Sequence, residues 1–288
     1  MATLRDIKRR INSIKSTSKI TRAMKMVAAA KFRKAQDRML ALRPYSDKIS
    51  EVLASLAQPT GEDLHPLLQV RPRKTVEVLV LTSDKGLCGA FNSNVLKAAS
   101  RLIDRLRSEG FEVSLSTIGR KARDYFKRRE FEIRKVWTGL SGKITYSSAA
   151  DVASDIMNGY IDETFDELIL VYNEFKTVVS QNVVEKKLLP IAEIEHDETT
   201  EMKDFIFEPS ETEIFQRLLP KSIEILIYRA MLESQASEEA ARMTAMENAT
   251  RSAEDMIDRL TLEYNKARQA SITKELMDIV GGAEALKG

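Results

Sequence analysis

From Met243 onward, small or apolar residues recur every third or fourth position: Met243, Met246, Thr250, Ala253, Ile257, Leu260, Tyr264 and Ala267. Glu247, Arg251, Glu254, Asp255, Asp258, Arg259 and Glu263 fill the intervals. Only every third or fourth residue returns to one face of a helix, so the pattern predicts one apolar seam in a polar coat, half of a coiled coil. The predicted helix covers residues 210–288. It opens on Ser210-Glu211-Thr212-Glu213, an S-x-x-E capping box, and should bend at Pro220. Between Pro220 and Val280 it would run on the order of 90 Å. Propensity alone is a weak source of stability, so a rod of that length needs a partner.

Residues 1–57 read as that partner. Leu4, Ile7, Ile11 and Ile14 step by three and four, and so do Ile20, Met24 and Val27, then Ala35, Met39 and Leu42, then Ile49, Val52 and Leu56. Counted on apolar residues, the register slips between Ile14 and Ile20 and again between Val27 and Ala35, which alters supercoiling without ending a helix. Pro44 should kink it. Because the intervening domain can bring the chain ends together, an antiparallel pair is expected. Ile7, Ile11 and Ile14 would then share a seam with Met243, Met246, Ile257, Leu260 and Tyr264.

The middle of the chain has a different texture. A linker at 58–74 is punctuated by Pro59, Gly61, Pro66 and Pro72. Over residues 75–209, short apolar runs (Val76–Thr82, Phe111–Thr117, Phe131–Val136, Glu167–Tyr172, Val183–Ile191) alternate with helical patterns around Val95–Leu106, Arg120–Arg129 and Ala149–Tyr160. Strands alternating with helices predict an α/β layer with a largely parallel sheet. The fold class is therefore α/β plus a long antiparallel coiled coil of the N- and C-terminal helices. An acidic patch (Glu193, Glu195, Asp197, Glu198, Glu201, Asp204) marks the exit from the α/β domain.

Charge sharpens this picture. The net charge of the 288 residues is only +2. Yet residues 1–43 hold thirteen Lys or Arg against Asp6 and Asp37, while 233–288 hold eleven acids against seven bases. A basic arm and an acidic arm in one chain invite mutual attraction. Two rival functions are a stand-alone α/β enzyme, which would keep its activity in Thr75–Ile191 alone, and nucleic-acid binding by the basic helix. Against the second, few aromatics interleave the charges and the apolar seam calls for a helix.

Cys88 is the only cysteine, which excludes an internal disulfide. No apolar run nears the roughly 18 residues that span a bilayer, and MATLRDIKRR has no apolar signal core; both suit a cytosolic setting. Ser83-Asp84-Lys85-Gly86-Leu87-Cys88-Gly89 follows a strand and precedes a helix, where α/β folds bind phosphates. It has neither the P-loop spacing nor G-x-G-x-x-G, and reads as a tight turn. A reactive Cys88 at a helix start is the alternative, with no second Cys or nearby His to support it. His65 and His196 form no ligand set. Tyr125, Trp137, Tyr160 and Tyr172 read as core. No cofactor and no metal site is expected.

Three segments carry a specific resemblance: Ile7–Gln36 (IKRRINSIKSTSKITRAMKMVAAAKFRKAQ), Thr82–Asn94 (TSDKGLCGAFNSN) and Ile272–Ala285 (ITKELMDIVGGAEA). The last fits I-T-x-E-x-x-D, three residues, then G-A. With Ser234–Ala249 and Tyr264–Ser271 in order between them, the chain resembles the gamma chain of the rotary, F-type ATP synthase, over its whole length. The chloroplast form is similar but carries a regulatory cysteine pair, which the lone Cys88 excludes, so the bacterial form is the better match.

The resemblance implies a non-catalytic rotor shaft. Its coiled coil would turn inside three alpha and three beta chains. Its α/β (Rossmann-like) domain would form the foot on a membrane ring of c chains, beside an epsilon chain. Transmembrane ion flow, expected to be of protons, would drive it at the cytoplasmic face of a bacterial inner membrane. No nucleic acid, cofactor or membrane-spanning segment is implied. Met24, Lys25, Arg268, Gln269 and Thr273 fall where such a shaft meets beta chains. Lys85, Gly86, Leu87 and Cys88 fall in a loop near the moving beta domains, and Phe207 and Glu208 fall at the foot facing the c-ring.

Overall fold

The computed structural model describes residues 3–56, 65–178, 180–191 and 210–285. It holds five helices and five strands among them: α1 (Leu4–Leu56), β1 (Thr75–Leu81), α2 (Phe91–Ser108), β2 (Glu112–Ile118), α3 (Arg120–Lys127), β3 (Lys135–Trp137), α4 (Tyr146–Ile161), β4 (Glu167–Phe175), β5 (Gln181–Leu189) and α5 (Glu211–Ala285). Pro44 lies inside α1 and Pro220 inside α5, and both helices continue through them. At the start of α5, the Glu213 amide donates to Ser210 Oγ at 3.3 Å, one arm of the expected capping box. The chain divides into two compact units, Met1–Val27 with Met243–Gly288, and Ala28–Arg242.

In the first unit, α1 and α5 are antiparallel. Lys25 pairs with Glu247 and Arg22 with Glu254, while Ile7 and Ile11 pack on Leu260, flanked by Ile14, Ile257, Tyr264 and Ala267. Rising numbers on one helix meet falling numbers on the other. The α5 seam is the predicted one, since every member from Met243 to Ala267 is buried or half-buried and its neighbours are mostly exposed.

The α1 seam corrects the expectation. Positions 4, 7, 11, 14, 18, 21, 25, 28, 32, 35, 39, 42, 46 and 49 are all buried or half-buried, an unbroken 3-4 spacing. The expected slips do not occur. Ser18 and Thr21 occupy the seam, Ala28 and Phe32 continue it, and Ile20 and Val27 are 60% and 55% exposed. Thr21 Oγ1 lies 2.7 Å from Thr250 Oγ1 across the helix pair. Each hydroxyl also lies within bonding distance of a carbonyl of its own helix, at Ser18 and Met246. With two protons for three contacts, one threonine donates across the pair and the other to its own turn.

The second unit is built on one sheet of order β3-β2-β1-β4-β5. Its first four strands are parallel and β5 runs antiparallel beside β4, as the strand–helix alternation predicts. Because β1 is central, both its faces are buried. Val76, Val78 and Val80 pack with Val95, Leu102 and Ile103 of α2 and with Phe126 of α3. Leu79 and Leu81 face the opposite core, with Val152 and Ile156 of α4 and Ile223, Ile227 and Met231 of α5. Glu77 is the exception on that strand. Fully buried, it pairs with Arg134 Nε at 3.2 Å, and Arg134 in turn meets Asp155 at 2.9 Å. Helix α4 starts on a reciprocal capping box, Thr145 with Ser148.

The described part of the proline-punctuated stretch is docked. His65 caps the turn Pro66–Leu68, Leu67 is fully buried, and Arg71 stacks 4.6 Å over the Tyr160 ring.

Candidate functional site

The Thr82–Ala90 loop leaves the C-terminal end of β1, and its root is densely bonded. Thr82 donates its amide to the Ile118 carbonyl (2.8 Å), and its Oγ1 accepts from the Ala122 amide at 2.9 Å. Helix α3 needs that help because its N-cap is Gly119, which has no side chain to offer. Gly119 sits at φ +99, and a Cβ there would fall 2.2 Å from the Thr82 carbonyl oxygen, so only glycine allows this approach. Asp84 supplies a second cap. Its Oδ1 accepts from the Arg120 amide (3.0 Å), and its Oδ2 from the amides of Gly139 (3.0 Å) and Ser141 (3.2 Å). Ser83 closes the loop on α2, its amide donating to Asn92 Oδ1 at 3.0 Å.

The tip differs from the root. Lys85 is exposed and Gly86 half-exposed, while Leu87 is 65% exposed and holds a left-handed φ of 62°. Cys88 is buried beneath them, with Asn92 Nδ2 3.2 Å from its sulfur. Burial pushes the thiol pKa up, Arg242 pulls it partly back, and Glu238 adds to the rise. A raised thiol pKa marks a structural cysteine rather than a nucleophile. The first three amides of α3 are already taken, by Asp84 Oδ1, the Ser83 carbonyl and Thr82 Oγ1, so the loop is also ill suited to phosphate.

Helix α5 backs this loop with a buried ion group. Arg242 meets Glu238 at 2.5 Å and Glu239 at 2.8 Å, and lies 3.5 Å from the Gly86 carbonyl. Lys31 of α1 approaches Glu239 at 3.9 Å. Burial raises the Glu238 pKa, and Arg242 opposes that rise. The spacing of these charges on α5 is readable in the sequence, but their burial is not. Asp84 gave no signal beyond its place after a strand, because its partners at 120, 139 and 141 are distant along the chain.

In the helix pair, Met24 is half-buried and Lys25 pairs with Glu247 at 2.9 Å. Arg268, Gln269 and Thr273 are exposed on α5. Arg268 lies 21 residues beyond Glu247, about 30 Å of helix, so these residues form two places on the pair rather than one cluster. The two cross-helix ion pairs put the basic arm against the acidic one. Phe207, Glu208, His196 and the acidic patch lie outside the described residues. Among the described residues, no three His, Cys, Asp or Glu side chains gather as a metal site, and no helix is long and apolar enough to cross a membrane.

A family model described as ATP synthase matches residues 3–286. Among curated relatives, the ATP synthase gamma chain of Pelotomaculum thermopropionicum is 49% identical and that of Geobacter metallireducens 46%, each over the full length of both chains. Among solved structures, the chain is similar to one in the central stalk and c-ring of the Tetrahymena thermophila mitochondrial ATP synthase, at 28% identity and a TM-score of 0.61. That match covers 80% of this chain and 99% of the other. A chain of the Euglena gracilis mitochondrial ATP synthase shares the fold at 22% identity and a TM-score of 0.71, covering 98% and 94%.

Proposed function

Because this chain belongs to the ATP synthase gamma chain family, we propose that it is the central rotor shaft of a bacterial F-type ATP synthase. In this role it transmits rotation between a membrane ring of c chains, driven by proton flow, and the beta chains that make and hydrolyse ATP. The chain itself is non-catalytic. It works with three alpha chains, three beta chains and an epsilon chain at the cytoplasmic face of the inner membrane. The N-terminal helix (1–57) and C-terminal helix (210–288) act as the shaft, and residues 75–209 as the foot.

The observation that carries this proposal is the antiparallel seam. Ile7 and Ile11 interlock with Leu260, and charge pairs flank the hydroxyl contact at Thr21 and Thr250. Interlocked side chains resist the twisting of one helix about the other, which a torque-bearing element requires. In this proposal Met24, Lys25, Arg268, Gln269 and Thr273 meet the beta chains from the shaft, and Lys85–Cys88 meet them from the loop. Phe207 and Glu208 serve the c-ring.

Two measurements test it. The purified chain should co-elute with an ATPase of three-plus-three large subunits. Within that complex, Ile257→Asp places an unpaired charge in the seam and should uncouple ATP hydrolysis from ion pumping, or block assembly. Glu254→Gln, which loses only an exposed ion pair, should do neither. Full assembly and wild-type pumping by Ile257→Asp would mean that the helix pair does not carry torque.

A further inference from the structure

We propose that Asp84 is the positioning residue of the Lys85–Leu87 tip, fixing the shape in which that tip meets the beta chains. This deepens the rotor role proposed above and rests on it.

The need for such a residue follows from the tip's backbone. Leu87 at φ 62° and Gly89 at φ 56° are both left-handed. A leucine held there is strained, and Leu87, 65% exposed, gains no burial in return. Strain of that kind persists only where the flanks over-determine it. The downstream flank is anchored, because Cys88 is buried and its carbonyl accepts from the Phe91 amide at 3.2 Å, on the first residue of α2. The upstream flank is held to α2 and α3 through Ser83, and its tie to a third segment runs through Asp84.

The Asp84 side chain is 8% exposed, and its two oxygens have different work. Capping α3 at the Arg120 amide uses Oδ1 alone. The partners of Oδ2, the Gly139 and Ser141 amides, belong to a separate turn between β3 and α4. The contact is reciprocal, since the Asp84 amide donates to Ser141 Oγ at 3.1 Å. A helix cap needs neither the second oxygen nor the returned bond. Together they tie the chain immediately before Lys85 to a second loop, at the end of a strand buried on both faces. Beyond that point the bonds thin out along the tip. The Lys85 carbonyl still accepts from Ser83 Oγ at 2.5 Å, whereas the Gly86 carbonyl has only a long contact with Arg242, at 3.5 Å. If the root moved, Leu87 would relax out of its left-handed state.

Charge-assisted bonds from three amides also make the residue hard to replace. Asp84→Asn keeps one acceptor oxygen but turns an NH2 group toward a backbone N–H. Asp84→Ala removes all three bonds. Leu87→Gly removes the exposed side chain and relieves the positive φ while leaving the root intact.

The test has two arms. In the chain alone, backbone order parameters of Lys85, Gly86 and Leu87 are measured by NMR relaxation. Values near 0.85 in wild type should fall below about 0.6 in Asp84→Ala, with Asp84→Asn between them and the amides of β1 and α2 unchanged. An already mobile wild-type tip, or an unchanged tip in Asp84→Ala, overturns the proposal. This arm needs no partner, so it decides on Asp84 whatever the outcome of the co-elution that tests the rotor role.

In the reconstituted complex, Asp84→Ala and Leu87→Gly should each lower ions pumped per ATP. In a double-mutant cycle, Asp84→Ala should add less than about twofold to the Leu87→Gly defect, because both act through one tip. Defects that multiply would make Asp84 a general support of the fold and overturn its positioning role.

Discussion

Leu260 offers a clean measure of what holds the helix pair together. It is 6% exposed and packs against Ile7 and Ile11. Leu260→Ala removes three carbon atoms, worth about 2.4 kcal/mol at roughly 0.8 kcal/mol per buried carbon. A buried Leu→Ala costs about 2–5 kcal/mol, depending on how well the site collapses. A seam between two helices can close more easily than an enclosed core, so about 2–3 kcal/mol is expected. The assay is native-state hydrogen exchange at the α5 amides 253–264, which should accelerate about 30- to 150-fold for that loss. Exchange in β1 and α2, which belong to the other unit, should not change. Leu262→Ala is the control, since Leu262 is 65% exposed and should stay within about 0.5 kcal/mol. Equal effects at 260 and 262, or less than about 0.5 kcal/mol at 260, would refute the seam as the source of cohesion.

Gly119→Ala should destabilise the α/β unit by about 3 kcal/mol or more. It combines a backbone conformation reserved for glycine with a Cβ driven into the Thr82 carbonyl, and urea unfolding followed by Trp137 fluorescence reads the loss. His65 should make stability pH-dependent, because burial lowers its pKa and its neutral Nδ1 accepts from the Leu67 amide. Its contribution is full above the unfolded value near 6.5 and lost as pH falls through the lower folded value. The melting temperature should therefore drop between about pH 7 and pH 5, and less so in His65→Asn, whose oxygen can cap without titrating. Cys88→Ser should leave assembly and ATPase activity nearly intact, and loss of activity in a fully assembled complex would reveal thiol chemistry.

The C-terminal seam and the β1, β2 and β4 strands were legible because their apolar periodicity is nearly complete. The α1 seam was harder. Its apolar residues alone suggested two slips, since Ile20 and Val27 look like core while Ser18 and Thr21 look like surface. The helix buries by position, and a hydroxyl that can return a bond to its own turn is cheap to bury. The root of the Thr82–Ala90 loop was illegible for another reason. Asp84 acquires its meaning only when residues 120, 139 and 141 arrive beside it, and no local pattern announces such a meeting.

The Thr21–Thr250 contact has a consequence for alignment. A purely hydrocarbon seam repeats every seven residues, so sliding one helix past the other by about 10 Å would find nearly equivalent packing. One hydroxyl pair breaks that equivalence, because a slide of one heptad gives up the bond between Thr21 and Thr250 and sets Thr21 against Met243 or Ile257. It thus acts as an index mark along the helix pair. Every residue on α1 is assigned one opposite on α5, and Lys25 meets Glu247 rather than its neighbour a heptad away. A transmission that must repeat the same angle on every turn gains from such a mark more than from extra adhesion. Stability alone would favour valine at both positions, whereas fidelity of alignment favours threonine.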